Sequence, residues 1–252
     1  MKYKVCIVGF GEIGSAVSKG FNDKGISHKI YDKYKKIGKE SDMANSDLCI
    51  VCVSTPNIDG AMYNLNEIYE CLDYLQSSSY EGEVCIKSPL VPGTTSNFDK
   101  KYDFIIYNSP YFYKDASNIA IGTRYLNSYY ERICRQYFLG DVIVVGPSES
   151  ECAAIFHNSF FAIKSMIFEE FSDICKNKNL EFSIIKEVML RNKNINISNI
   201  LGKKDESQSL KSFDDLKSLC EFAERSLSCN RIMKSAIYEN EILKKGMSHE
   251  RY

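Results

Sequence analysis

The sequence predicts a doubly wound α/β domain built on a parallel sheet, followed by a helical domain, and three observations predict it. An apolar run, Val5-Cys6-Ile7-Val8, enters the glycine turn Gly9-Phe10-Gly11-Glu12-Ile13-Gly14, and a helix-period segment then leads to a second short run closed by Asp32. Short apolar runs alternate with helix-period segments up to residue 147, the pattern of strands covered by helices on both faces. From Ser148 onward only helical periodicity remains.

The elements follow in order. Ile13, Ala16, Val17 and Phe21 recur at helical spacing over Glu12 to Asp23, and His28 to Tyr31 reads as the next strand. Leu48 to Val53 is a continuous apolar run ending in Ser54-Thr55-Pro56, which sets small polar groups at a strand's carboxyl end. A helix carrying Leu65, Ile68, Tyr69, Leu72 and Leu75 comes next, then strands over Glu83 to Lys87, Asp103 to Tyr107 and Val142 to Val145. Ala153, Phe156, Phe160, Ile163, Ile167, Phe171 and Ile174 form a stripe on one long helix of about 28 residues, or about 40 Å. Further helices are expected over Phe182 to Leu190, Phe213 to Leu227 and Asn230 to Lys245, with a polar loop over Asn192 to Ser209. The expected domains are 1–147 and 148–252.

In the glycine turn, the first glycine permits the bend, the second lets a pyrophosphate reach the backbone, and the third lets the helix pack close to the strand. The helix N-terminus offers N–H groups to the phosphates. Asp32 lies 23 residues after Gly9, where a carboxylate accepts from an adenosine ribose and repels a 2′-phosphate, so the Rossmann turn reads as NAD-binding rather than NADP-binding. The candidate cofactor residues are Gly9, Phe10, Gly11, Glu12, Ile13, Gly14, Asp32, Ser54, Thr55, Pro56 and Ser88.

A chain of 252 residues, 44% hydrophobic and 26% charged with a formal net charge of -1, has the composition of a soluble globular protein and no bulk charge to recruit nucleic acid or an anionic membrane. No apolar run approaches the roughly 20 residues that span a bilayer, and the N-terminus runs directly into a strand, so the cytoplasm is the expected compartment. Ten cysteines suit neither disulfides nor metal. Cys6, Cys49, Cys52 and Cys85 fall inside buried strands, and the C-x-x-C pair Cys49 and Cys52 points to opposite faces of a strand. No metal site is expected.

The turn Gly9 to Gly14, Val51 to Pro56, Ile86-Lys87-Ser88-Pro89-Leu90-Val91-Pro92-Gly93-Thr94-Thr95, Asn108-Ser109-Pro110 and Glu151 to Glu170 stand in familiar succession. Over roughly residues 3 to 245 the chain resembles the first two domains of the UDP-glucose/GDP-mannose 6-dehydrogenase family. The resemblance implies oxidation of a sugar C6 alcohol in two NAD-dependent steps through a cysteine-bound intermediate. It also implies a homodimer through the helical domain, and a third, nucleotide-sugar-binding domain that is absent here.

The chain departs from the family at the catalytic positions. A threonine gives way to Pro89, a glutamate to Tyr111 and a helical lysine to Ala154, while a second acid survives as Asp115 and the helical asparagine as Asn158. Lys164, ten residues beyond Ala154, lies about 15 Å too far along to stand in. The cysteine signature reads Ser209-Leu210-Lys211-Ser212-Phe213-Asp214-Asp215, with Lys211 at the cysteine position and Asp215 matching the family aspartate. Cys220 and Cys229 are expected to be packing residues.

Two readings stay open. One is a divergent NAD-dependent oxidoreductase that needs only hydride geometry and one proton-transfer group, with Asn158, Asp215, Lys211 and Asp115 as candidate catalytic residues acting on a small-molecule substrate. Tyr111 and His157 are further candidates, although His157 should point about 100° away from Asn158. The other is an NAD-binding sensor, scaffold or subunit that has lost catalysis, with Tyr111, Phe112 and Tyr113 filling the site.

Overall fold

The structure, a computed structural model, describes residues 3–57, 63–111, 118–138, 141–191, 206–226 and 229–244, with backbone only at 118, 206–212, 243 and 244. The described chain runs β1 (Val5–Val8), α1 (Glu12–Asp23), β2 (His28–Tyr31), α2 (Ser41–Ala44), β3 (Leu48–Val51), α3 (Asn66–Ser77), β4 (Glu83–Ile86), α4 (Thr94–Lys101), β5 (Ile105–Asn108) and β6 (Asn118–Gly122). It continues through α5 (Tyr129–Tyr137), β7 (Asp141–Val145), α6 (Pro147–Asn177), α7 (Phe182–Leu190), α8 (Glu206–Arg225) and α9 (Arg231–Lys244).

The strands form one sheet in the order β2-β1-β3-β4-β5-β6-β7. All neighbours are parallel except β5 and β6, which run antiparallel and share the single register pair Asn108 and Gly122. This is the expected doubly wound architecture, with β6 added to it: Asn118 to Gly122 is a short run that periodicity does not single out. Period-two alternation divides the core into two faces. Cys6, Val8, Cys49, Val51, Val84 and Ile86 pack on one side with Ile68, Leu72 and Phe98, while Val5, Ile7, Leu48, Ile50, Cys52 and Cys85 pack on the other with Phe21 and Ile133. Cys49 and Cys52 thus fall on opposite faces, as their odd spacing requires.

The contacts divide the chain into two compact units, one of residues 1–59 and 63–155 and one of 60–62 and 156–252, so the division falls inside α6, after Ile155. In the second unit Ala162 and Met166 of α6 pack with Phe213 and Leu216 of α8 and Ala236 of α9. Of the stripe expected on α6, Ile163 packs against this cluster, partly buried, but most of the rest does not. Phe156, Phe160, Ile167 and Ile174 are 53%, 61%, 44% and 58% exposed. Periodicity located an apolar face, but α8 and α9 cover the neighbouring face that carries Ala162 and Met166.

The expected loop over Asn192 to Ser209 needs a correction as well. Residues 192–205 lie outside the described residues, and α8 begins at Glu206, well before Phe213. No glycine or proline interrupts Glu206 to Arg225, so the polar start of this segment continues the helical pattern set by Leu210, Phe213, Leu216 and Cys220.

Candidate functional site

In the first unit, the glycine turn closes around its own backbone. Gly9 has φ 84°, a left-handed conformation, and a Cβ there would sit 2.8 Å from the carbonyl oxygen of Cys52. A Cβ on Gly14 would collide with the carbonyl oxygen of Gly9, which is how α1 comes close against the β1 turn. Gly11 differs, because a Cβ there meets nothing within 4 Å. The backbone is therefore bare toward open space at the N-terminus of α1, where Gly11 is the cap and no side chain caps the helix. That geometry fits a diphosphate, which needs close backbone approach and N–H donors.

Asp32, 9% exposed, follows β2 at the rim of this turn. Its Oδ2 accepts from the Phe10 amide at 2.7 Å and its Oδ1 from the Lys35 amide at 2.8 Å. Burial resists ionisation here, but the amides of Lys35, Phe10 and Tyr34, with the Lys35 ammonium, overcome it and hold the carboxyl below the usual aspartate range. Lys35 closes the corner by donating from Nζ to the Phe10 carbonyl at 2.6 Å. Asp32 and the glycine turn are thus one hydrogen-bonded unit, and the carboxylate stays charged and fixed.

At the ends of β3 and β4, Ser88 Oγ donates to the Val53 carbonyl at 2.7 Å and Thr55 Oγ1 to the Pro89 carbonyl at 3.1 Å. These bonds lock the two strand ends together and leave Ser54 and Pro56 exposed beside them. Glu12 and Ile13 open α1. Tyr111 is half-buried past β5; burial first, and then the charge of Glu12, push its hydroxyl up. Asp115, Phe112 and Tyr113 lie outside the described residues.

Two buried charged groups in this unit lie outside the expected site residues. Lys87 is 5% exposed, and its Nζ donates to the Ser109 carbonyl at 2.8 Å, Ser109 Oγ at 3.2 Å and the Tyr130 hydroxyl at 3.1 Å. Glu151, 1% exposed on α6, accepts at Oε2 from the Gly93 amide and at Oε1 from both the amide and hydroxyl of Thr95. It caps α4 from 56 residues or more away. Burial raises its carboxyl above the ordinary value despite these bonds.

In the second unit, Asn158 on α6 donates from Nδ2 to Oδ2 of Asp215 on α8 at 2.6 Å, and Asp215 is 5% exposed. The two expected residues are thus brought together. His157 also joins them, with Nδ1 3.0 Å from Asn158 Oδ1. The expected 100° divergence does not separate these side chains, because adjacent residues on a helix still meet when both lean along the surface. Lys211, expected in a loop before the helix, is instead within α8, and its side chain is outside the described atoms.

All ten cysteines are free. Burial pushes the thiols of Cys6, Cys52 and Cys71 up to about 12 and that of Cys134 up to about 11, which makes them poor nucleophiles. Cys220 is buried, as a packing residue should be, and burial raises its thiol. Cys229 is exposed, so packing does not account for it. Among the described residues no cluster of His, Cys, Asp and Glu could hold a metal ion, and no helix is long and apolar enough to cross a membrane.

No protein-family model matches this sequence, and no curated protein matches it. Solved structures do resemble its fold. A UDP-glucose dehydrogenase from Pyrobaculum islandicum superposes with a TM-score of 0.83 at 16% identity, over 97% of this chain and 69% of that one. A GDP-mannose dehydrogenase from Pseudomonas aeruginosa gives 0.67 at 16% identity, over 99% and 72%. A 3-hydroxyisobutyrate dehydrogenase from Mycobacterium tuberculosis gives 0.71 at 12% identity, over 94% of this chain and 92% of that one. The chain has the nucleotide-sugar dehydrogenase fold, shared with a dehydrogenase of nearly the same extent.

Proposed function

We propose that this chain is an NAD-dependent oxidoreductase that interconverts an alcohol and its carbonyl by a single two-electron transfer, without a cysteine nucleophile. The observation that carries the reading is the open backbone at Gly11, set between two glycines with no room for a side chain and rimmed by the charged Asp32. Gly9 to Gly14 and the start of α1 would hold the pyrophosphate, Asp32 the adenosine ribose, and Ser54, Thr55, Pro56 and Ser88 the far half of the cofactor. The cofactor supplies the hydride acceptor. Asn158, held by Asp215, would polarise the substrate oxygen, with Lys211 and Asp115 as further candidates for moving its proton.

The 3-hydroxyisobutyrate dehydrogenase is spanned over 92% of its length, which supports dehydrogenase chemistry for a chain of this extent. The exposed stripe of α6 supports a homodimer through the helical unit. Ten free cysteines fit a reducing compartment, the cytoplasm. A catalytically silent NAD-binding protein is the second reading, and half-buried Tyr111 beside Glu12 favours it.

Isothermal titration with NAD, NADH and NADP tests both. The expected result is binding of NAD or NADH with little for NADP, followed by NADH formation from at least one of UDP-glucose, GDP-mannose and 3-hydroxyisobutyrate. Binding without turnover gives the second reading, and no dinucleotide binding overturns both.

A further inference from the structure

We propose that Lys35 is a positioning residue of the cofactor site, a latch on the carbonyl of the Phe10–Gly11 peptide that keeps the N–H of that peptide for a diphosphate; the assignment rests on the dinucleotide-binding reading above. Every group involved belongs to the first unit. Turning this peptide about its long axis changes only ψ of Phe10 and φ of Gly11, and glycine accepts φ of either sign. The glycine turn alone therefore decides weakly which way the peptide faces. To an anion the two faces are opposites, since one presents an N–H and the other a carbonyl oxygen. Gly11 has φ -78° as the cap of α1, and among the described residues no acceptor meets its N–H.

Lys35 holds the carbonyl end. Its Nζ donates to the Phe10 carbonyl at 2.6 Å and stands 5.6 Å from the centroid of the Phe10 ring. In a planar trans peptide the C=O and N–H point in opposite directions, so this bond directs the Gly11 N–H away from the ammonium. The other side of Phe10 is held as well, because its amide donates to Asp32 Oδ2 while the Lys35 amide donates to Oδ1. Phe10, Asp32 and Lys35 thus close a ring of hydrogen bonds, and a flipped Phe10–Gly11 peptide would break it at the ammonium.

Local geometry brings Lys35 to this place. Asp32 and Ile37 exchange backbone bonds at 2.9 and 3.0 Å, closing the turn over residues 33–36 that carries Lys35 back to Phe10. Lys36 and Gly38 take left-handed φ of 55° and 68°, and a Cβ on Gly38 would sit 2.0 Å from the Ile30 carbonyl oxygen, so the returning chain lies close on β2. Lys33, in the same turn, pairs with Glu67 and Glu70 instead. The latch adds the Gly11 N–H to the donors at the start of α1, which is the arrangement a diphosphate requires.

Two measurements on the full chain test this. Phe10-Gly11 is the only Phe-Gly pair in the sequence, so protein labelled with carbonyl carbon-13 phenylalanine and nitrogen-15 glycine gives one carbonyl-to-amide correlation, from this peptide alone. Lys35→Met should move that carbonyl resonance upfield, and Lys35→Arg, which keeps a donor, should restore it. The unfolding midpoint should stay nearly unchanged in both, since the side chain is exposed. A carbonyl resonance indifferent to Lys35→Met overturns the latch. In titration calorimetry Lys35→Met should weaken NADH binding about tenfold, as loss of one hydrogen bond from a charged donor implies, and Lys35→Arg should recover most of it. Undiminished NADH binding by Lys35→Met overturns the positioning role. The carbonyl difference between wild type and Lys35→Met should persist when both are saturated with NADH. If it vanishes, the ammonium has left the carbonyl for the ligand, and direct contact replaces the latch. No NADH binding by the wild type overturns the cofactor reading and the positioning role with it, whereas the carbonyl resonance of the free protein reports on the Lys35 bond separately.

Discussion

Glu83 and Glu151 are both buried, yet the same substitution should act on them in opposite ways. Glu83 takes both of its bonds, from the Tyr107 hydroxyl and the Tyr129 amide, on one oxygen. A glutamine can present its carbonyl to both, so Glu83→Gln should stay within about 1 kcal/mol of wild type in urea unfolding. Burial is the main cause raising the Glu83 carboxyl from about 4.5. A group raised in the fold contributes stability below its unfolded value and loses it as pH climbs through the folded value. Glu83→Gln should therefore gain on wild type as pH rises from about 4.5 to 7, and no such gain would refute the burial argument. Glu151 uses both oxygens, so Glu151→Gln sets an amide NH2 group against a backbone N–H and should cost about 1–3 kcal/mol. The glycine turn offers a second contrast. Gly14→Ala drives a Cβ into the Gly9 carbonyl and should cost about 3 kcal/mol, whereas Gly11→Ala should leave the unfolding midpoint nearly unchanged and weaken NADH binding tenfold or more. If Gly11→Ala binds NADH normally, the diphosphate does not lie there. The Gly9 to Asp32 pattern is readable from sequence because its parts are local; the Glu151 cap is not, since its partners lie 56 and 58 residues away.

At the scale of the elements, periodicity locates α6 well but not which of its faces the rest of the chain covers. A helix with Ala162 and Met166 on one side and Phe156, Phe160, Ile167 and Ile174 on another has two apolar faces, and only the folded chain shows which one meets α8 and α9. The uncovered one supports self-association. Phe160→Glu and Ile167→Glu together should halve the mass measured by light scattering after gel filtration, with little change in helix content. A protein already monomeric before substitution would sink the homodimer proposal. The start of α8 escapes periodicity for a related reason: Ser207, Ser209 and Ser212 lower local propensity only slightly, and tertiary burial of Phe213 and Leu216 outweighs that.

At the scale of the whole molecule, the order of strands follows from the alternation of runs, because parallel neighbours need helical crossovers and those crossovers leave a 3.6-residue period in the sequence. The antiparallel β6 has no such signature. It meets β5 through one register pair and β7 through five, so the seam between β5 and β6 is the weakest joint of the sheet. Strands joined this way do not open together. In native-state hydrogen exchange, the amides of β1, β3 and β4, paired on both sides by four-residue registers, should exchange only by global unfolding, and those of β6 and β7 through a cheaper local opening. Uniform protection across all seven strands would show that the packing of Ile121 and Ile133 closes the seam as firmly as backbone pairing does elsewhere. With the expected difference in exchange, the sheet divides into a slow-exchanging half that carries the glycine turn and a faster flank, which would separate the rigidity that the proposed cofactor needs from the pliancy available beside it.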